Sequence, residues 1–432
     1  MGCLMNSINI LTLGCSKNTY DSELLIGGLE KNNFNIVNEV IDSDCVIVNT
    51  CGFLDEARQE GVEVLLELEE LKKNGKITSI VVMGCMSERF GAELKKEFLN
   101  IDQFFGSNDI EKIIKYLCSK DYQKYDPDYS RISLTPAHYG YLKISEGCDN
   151  ACSFCSIPLM RGLQKSQPIE WNIAEAKRMV RNGVKEILVI AQDSTSYGWD
   201  LTPRRSLAEL LTELNKIDGL DWIRLHYAHP THLHDDVINC FNSLEKLIPY
   251  IDMPIQHAST SVLRDMRRGL KIDRIKEKIF KLKEINKDIA IRTSLIVGFP
   301  NESDEDFQEL YDFIKEVKFD RLGVFTYSEE EGTTGKKHFK DNVPLKVKKH
   351  RLDKLMKLQM NISLKKNRSL INTNQKVLID THTQEGFSIG RTFRDSPEID
   401  NTVTFNKRLE IGKFYNASIL NASHYDLVGD IL

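Results

Sequence analysis

The order of apolar runs predicts an α/β protein in three parts. These are a doubly wound parallel-sheet domain, a central partial (βα)6 barrel and a small all-β, OB-like barrel. Three observations predict it. Short β-branched and aliphatic runs alternate with longer amphipathic segments, first up to about Leu117 and again from Tyr139 to Glu330. After that the pattern changes to short strands with no long helix between them. At 432 residues, the chain is also too long for one ordinary core.

In the first part the runs NILTLG, CVIVNT, SIVVMG and DQFF are the strands, and their continuous hydrophobicity suits a sheet covered on both faces. The polar stretch from Lys120 to His138 reads as a linker. Six strands follow: YLKIS, ILVIAQD, WIRLHY, YIDMPIQ, AIRTSLIVGF and RLGVFTY. Repeated βα units imply a barrel or an open sheet, and six strands are too few for an eight-fold barrel. A Lys-rich helix from about Leu345 to Lys366 leads to five short strands, KVLIDTH, FSIGRTF, NTVTF, KFYNASILNAS and YDLVGDIL. The expected boundaries are 6–120, 134–363 and 366–432.

Composition is that of a globular chain, 41% hydrophobic and 28% charged, with no apolar run of membrane-spanning length. The start MGCLMNSIN has neither a secretory nor a myristoylation pattern, so a cytoplasmic location without membrane attachment is expected. Ten cysteines in a reducing compartment suggest metal binding or catalysis rather than disulfides. A net charge of −5 argues against gripping nucleic acid by bulk electrostatics and fits a basic protein partner.

KISEGCDNACSFC spaces Cys148, Cys152 and Cys155 as CxxxCxxC directly after a strand. Thiolates suit zinc or an iron–sulfur cluster. A structural zinc site wants four protein ligands, and no fourth stands nearby; three leave one iron of a [4Fe–4S] cluster open. A zinc knuckle completed by a distant residue is the alternative. A second set has a repeated context: Cys15 follows NILTLG, Cys51 follows VIVNT and Cys85 follows IVVMG. Each stands at the carboxyl end of a strand, where open parallel sheets bind ligands. Either they hold a second [4Fe–4S] cluster, or they are buried structural cysteines. Cys3, Cys45, Cys118 and Cys240 share no such context.

The CxxxCx(aromatic)C segment, with Phe154 as the aromatic, resembles the signature of the radical S-adenosylmethionine (SAM) superfamily. The resemblance implies that the open iron binds SAM and that an electron cleaves it to a 5′-deoxyadenosyl radical. It also implies that Gln192 and Asp193 of AQDSTSYG contact SAM, although the common Gly-Gly-Glu form is missing there. Gly298, Phe299 and Pro300 resemble the segment that shapes the adenine pocket. LGCSKNTYDSE, VIVNTCGFLDEA and VVMGCMSER then resemble the methylthiotransferases of that superfamily, over essentially the whole chain, with a C-terminal TRAM barrel. In that family the second cluster carries the inserted sulfur, one SAM methylates it, and another supplies the radical. A low-potential electron donor and a sulfur donor are implied as partners.

Two branches of the family compete, one acting on an aspartate β-carbon of a small-subunit ribosomal protein, the other on an adenosine in tRNA. KISEGCDNACSFCSIPLMRG, YIDMPIQHASTSVLRDMRRG, TYSEEEGT and Ser396–Asp400 of RTFRDSPEID are closer to the ribosomal-protein branch, Ser396 replacing its usual Ala. From Lys366 to Leu432 eight basic residues balance eight acidic ones, so the tail barrel lacks the basic footprint of a tRNA binder. The barrel is expected to dock a basic protein substrate, with nucleic acid not expected as substrate. A non-catalytic metal-bound adaptor is the rival from another class. His226, His229, His232 and His234 read as surface or pocket contacts, or as a zinc site. Gln256 and His257 end a strand, and Arg292 and Thr293 lie within one, all four without an assigned role.

Overall fold

The computed structural model describes residues 6–118, 122–124 and 131–432, so Cys3 and much of the expected linker lie outside the described residues. The chain divides into two compact units. Unit 1 comprises Met1–Thr135, Glu146–Asp149 and Ser156–Lys165; unit 2 comprises Pro136–Ser145, Asn150–Cys155 and Ser166–Leu432.

Unit 1 is built on a five-stranded parallel sheet in the order Asn35–Ile36, Ser7–Thr12, Cys45–Thr50, Ser79–Gly84, Gln103–Phe104. Cys45–Thr50 and Ser79–Gly84 are buried at every residue, which explains their unbroken apolar runs. The two-residue strand Asn35–Ile36 was not expected; it is too short to carry a period. Helices Ser16–Lys31, Asp55–Lys73, Cys85–Glu97 and Ile110–Cys118 alternate with the strands.

Unit 2 holds a six-stranded parallel sheet whose strands lie side by side in chain order, from Tyr139–Lys143 through Glu186–Ile190, Trp222–Leu225, Leu247–Asp252 and Ala290–Val297 to Arg321–Thr326. Winding in one direction without closure is the partial barrel that the strand count predicts. Alternate residues divide between two environments. Ile223, Leu225, Ile251 and Ile291 enter the main core with the helices, whereas Trp222, Tyr250 and Ala290 pack against Leu378, Phe393 and Phe414 of the tail. The tail itself is a closed five-stranded barrel of Asn374–His382, Ser388–Arg391, Val403–Phe405, Leu427–Ile431 and Phe414–Ala422. Val377, Ile379, Phe405 and Ile419 fill it. The connecting helix runs Leu345–Arg368. Among the described residues no helix is long and apolar enough to cross a membrane.

Residues 391–400 of the tail bond to side chains on or directly after all six strands of the sheet. Tyr139 and Tyr141 donate to Glu398 at 2.8 and 3.2 Å, and Arg391 pairs with the fully buried Glu186. Arg224 donates to the Phe393 carbonyl at 2.8 Å, and His226 Nε2 lies 3.0 Å from Ser396 Oγ. Tyr250 donates to Asp400 at 2.8 Å, Arg292 lies 3.4 Å from the same carboxylate, and Arg321 donates to Asp395 at 2.8 Å. Ser396–Asp400, singled out in the sequence as a family hallmark, therefore joins the barrel to the sheet. Buried ion pairs of this kind add little net stability but penalise any other seating of the barrel.

Candidate functional site

In unit 1 the structure brings Cys15, Cys51 and Cys85 to one sheet edge. Their strands, Ser7–Thr12, Cys45–Thr50 and Ser79–Gly84, are adjacent, so their carboxyl ends lie side by side. Cys15 precedes helix Ser16–Lys31, Cys51 directly follows its strand, and Cys85 opens helix Cys85–Glu97. The approach is tight enough to require glycine. At Gly14 (φ +97°) a Cβ would lie 2.6 Å from Cys51 Cβ and 3.2 Å from its Sγ. Burial raises the proton affinity of Cys51, and the charge of Cys15 adds to it. Burial pushes Cys85 up to about 11, with Arg161 opposing and Cys15 and Cys51 adding. A metal held by these thiols would therefore displace protons from them.

Arg161, from the short helix Ile157–Arg161 of the same unit, donates from Nε to Cys85 Sγ at 3.0 Å. The rest of its guanidinium bonds to Asp21 at 2.5 Å, Asn18 at 2.6 Å and Glu146 at 3.4 Å. The sequence held one trace of this residue, the PLMRG segment, but nothing that tied it to a cysteine 76 positions away.

Of the CxxxCxxC residues, Cys148 belongs to unit 1, and its amide donates to the Gly162 carbonyl at 3.1 Å. Cys152, Phe154 and Cys155 belong to unit 2. There the Cys155 amide donates to the Cys152 carbonyl at 3.2 Å, and Ser153 fastens the loop through its amide to Met266 at 3.0 Å and its hydroxyl to Asp265 at 2.7 Å. Two donors face Cys152 Sγ: Arg268 Nη1 at 3.2 Å and His229 Nε2 at 4.0 Å. Neither was expected from the sequence.

The residues expected to contact SAM share unit 2. Gln192 is half-buried just beyond strand Glu186–Ile190. Asp193 is fully engaged by protein: Thr195 donates to Oδ1 through its amide (3.0 Å) and hydroxyl (2.7 Å), while Asn150 (2.8 Å) and His232 (2.7 Å) meet Oδ2. Against the cost of burial, the His232 hydrogen bond and the charges of His229 and His232 hold its carboxyl well below the usual range. Asp193 thus anchors the cysteine loop through Asn150. Phe154 and Phe299 fall in one apolar cluster with Val262, Met266 and Tyr327. Pro300, also buried, follows. The Gly298 and Phe299 amides both donate to Glu302, the latter at 3.1 Å, and Arg351 holds the other oxygen at 2.9 Å. Burial raises Glu302 to about 7 although Arg351 opposes it.

These surroundings fit an iron–sulfur cluster and a nucleoside cofactor. The donor sets are soft sulfur only. Two buried polar atoms beside them, Arg268 Nε and Tyr327 Oη, have no hydrogen-bond partner among the described residues, and a buried polar group without a partner is costly. One group of His, Cys, Asp and Glu among the described residues is compact enough for a single ion: Asp193, His229 and His232, with ligand atoms all within 4.8 Å. Its nitrogens and oxygens already serve one another and their neighbours as donors and acceptors, as an orienting network rather than a zinc site. His226 is not a surface residue: it is buried under the tail barrel, and burial lowers its proton affinity. Nor is His229, which is buried beside Cys152. His257 is fully buried too, its Nδ1 accepting from the Ser259 amide at 2.9 Å. Gln256 adopts φ +71° after its strand. Arg292 pairs with Asp252 at 2.9 Å, and Thr293 donates to the Met253 carbonyl at 2.9 Å, so both are framework residues.

The fold and the cysteine segment together define the class, a transferase of the radical SAM type. The profile of the radical SAM superfamily matches residues 142–314, the uncharacterized protein family UPF0004 matches 7–106 and the TRAM domain matches 371–432. Ribosomal protein uS12 methylthiotransferase RimO of Christiangramia forsetii is 44% identical over 430 residues, covering 99% of this chain and 94% of the relative. The RimO proteins of Flavobacterium psychrophilum (44% identical, 98% of each chain) and a Thermoanaerobacter species (41%, 99% of this chain and all of the other) are similar to it as well. The chain belongs to the RimO family of methylthiotransferases. Among solved structures, the radical SAM methyltransferase TsrM from Kitasatospora setae shares the fold, with a TM-score of 0.56 at 12% identity over 74% of this chain and 72% of the other. The cobalamin-dependent radical enzyme OxsB shares it with a TM-score of 0.54 at 12% identity, covering 83% of this chain and 56% of the other.

Proposed function

We propose that this chain attaches a methylthio group to the β-carbon of an aspartate in ribosomal protein uS12. In this reading one [4Fe–4S] cluster is held by Cys148, Cys152 and Cys155 and binds SAM, and a second is held by Cys15, Cys51 and Cys85. The observation that carries the proposal is the convergence of three thiols from three separate strand ends in unit 1, in addition to the CxxxCxxC segment. When bound, these groups supply a radical able to take hydrogen from an unactivated carbon, and the sulfur and methyl that replace it.

The protein's own residues bind, orient and exclude water. Phe154 and Phe299 give an apolar wall for the adenine, and Glu302 fixes the Gly298–Phe299 backbone through two amides. Asp193 holds the cysteine loop through Asn150, and Gln192 stands beside it for the amino-acid end of SAM. Arg161 orients the Cys85 sulfur through its Nε hydrogen bond. A closed apolar site is what radical chemistry needs, because the substrate carbon must meet sulfur before any other partner. A low-potential electron donor and a sulfur donor complete the proposed cycle, and the full-length resemblance to uS12 methylthiotransferases supports the substrate.

Mass spectrometry after anaerobic reconstitution tests it, with SAM and reductant and two substrates in parallel: uS12, and an anticodon stem-loop RNA. The expected result is a methylthio gain on uS12 alone. A gain on the RNA alone would replace this reading with a tRNA methylthiotransferase.

A further inference from the structure

Taking Cys152 as a cluster ligand, on which this inference rests, two of its neighbours acquire a role. Arg268 is 4% exposed, yet it forms no ion pair with any carboxylate among the described residues. Its Nη2 donates to the Pro254 carbonyl at 2.6 Å, its Nη1 to Cys152 Sγ at 3.2 Å, and its Nε has no partner. A buried cation without a carboxylate needs another anion. The nearest acceptor that can carry negative charge is the Cys152 sulfur. His229 adds a second donor. The Thr231 amide donates to its Nδ1 at 3.2 Å, which places the ring proton on Nε2, the atom 4.0 Å from the same sulfur. The two donors are tied together, since Thr231 Oγ1 donates to the Arg268 carbonyl at 2.8 Å. Thr195 Oγ1 accepts the His229 amide at 2.9 Å and fixes the ring's backbone.

We propose that Arg268 and His229 are positioning residues that raise the reduction potential of the cluster held through Cys152, by donating hydrogen bonds to that cysteine's sulfur. Reduction adds one negative charge to the cluster. A fixed cation and an N–H dipole aimed at a ligand sulfur stabilise the reduced form more than the oxidised one. Both hydrogen bonds reach the sulfur of Cys152. Arg268 thereby makes the cluster reducible by a weaker donor than it would otherwise need.

The test is a redox titration of the reconstituted full-length protein followed by electron paramagnetic resonance, using the signal that changes on adding SAM to identify this cluster. At the potential where the wild-type cluster is half reduced, Arg268→Gln is expected to lower the reduced-to-oxidised ratio about tenfold, a shift of about 59 mV to more negative potential. His229→Phe should shift it the same way by less, and Arg268→Lys, which keeps the charge but not the fork, should fall between Arg268→Gln and wild type. Unchanged potentials in Arg268→Gln and His229→Phe would overturn the proposal. So would an unchanged potential with weakened SAM binding in Arg268→Gln, which would make Arg268 the partner of the SAM carboxylate. If Arg268→Gln retains no iron, His229→Phe alone decides by the same criterion. A wild-type signal indifferent to SAM, with no 5′-deoxyadenosine formed, would instead refute the cluster reading on which the proposal stands.

Discussion

The two cysteine sets solve one problem in opposite ways. In unit 1 the thiols come from three adjacent strand ends, and only the folded sheet brings them together. CxxxCxxC instead places its three within one short loop, so their nearness is written into the chain before it folds. The arginines differ in parallel. Arg161 at Cys85 is neutralised by Asp21 and Glu146, whereas Arg268 at Cys152 has no carboxylate partner among the described residues. A charge-balanced site keeps its shape with or without an anion bound between the thiols. One with an uncompensated cation is built around an anion still to come.

Function offers the sharpest way to break this comparison. Replacing any of Cys148, Cys152 or Cys155 by Ala is expected to abolish both SAM cleavage and methylthio transfer. The same change at Cys15, Cys51 or Cys85 should abolish transfer while 5′-deoxyadenosine still forms, with about half the iron and labile sulfide retained, since two clusters share it. Methylthio product from a Cys51→Ala enzyme would end the sulfur-carrier role for the unit 1 set.

Next in size is Arg161→Leu. It removes the Arg161 side of the buried Arg161–Asp21 pair, and removing one partner of a buried pair costs about 3–5 kcal/mol. Urea denaturation of the apo-protein should show this loss. A loss below about 1 kcal/mol would mean that the Arg161–Asp21 pair does not hold the site together, and the contrast between the two arginines would fail.

Much of this was legible in the sequence, and what escaped did so for physical reasons. Strand runs such as SIVVMG announced themselves because both faces are buried, and the repeated strand-then-cysteine context already placed Cys15, Cys51 and Cys85 at one edge. Arg161 and Arg268 were invisible as sulfur partners, since their contacts cross 76 and 116 residues and no periodicity encodes such a distance. Asp193 was read as a SAM contact, but in the fold all its acceptor sites serve Thr195, Asn150 and His232. Ser396–Asp400 was noticed in the sequence only as a family hallmark. Its residues bond to the sheet, a function that leaves no local signature beyond polar residues in a loop.

A smaller effect sharpens the comparison at the backbone. Gly14 and Gly147 each precede a cysteine with positive φ, +97° and +75°, and each leaves no room for a Cβ. At Gly14 the obstacle is the Cys51 side chain; at Gly147 it is the Leu163 carbonyl, 2.2 Å away. Gly14→Ala should cost about 1–3 kcal/mol and also displace a proposed ligand, so iron content should fall with stability. Gly147→Ala strikes rigid backbone, and its cost should be at least as large. Full iron loading of Gly14→Ala would show that Cys51 can move without loss of the site.

The last expected effect is a pH dependence confined to unit 2. Burial lowers His257 to about 3, below its ordinary 6.5. The unfolded chain therefore takes up this proton first as the pH falls. Stability is fully present above pH 6.5 and is lost progressively between 6.5 and 3, by about 1 kcal/mol per pH unit for this one group. Glu302 has the opposite sign: raised to about 7 by burial, it contributes stability below its ordinary 4.5 that is lost as pH rises through 7. Denaturation midpoints at pH 7, 6 and 5 should thus fall less steeply in His257→Asn than in wild type. Identical slopes would mean that His257 is hydrated or charged in the folded protein, and its unpartnered Nε2, 3.8 Å from Glu302, would then need an ion pair to explain it.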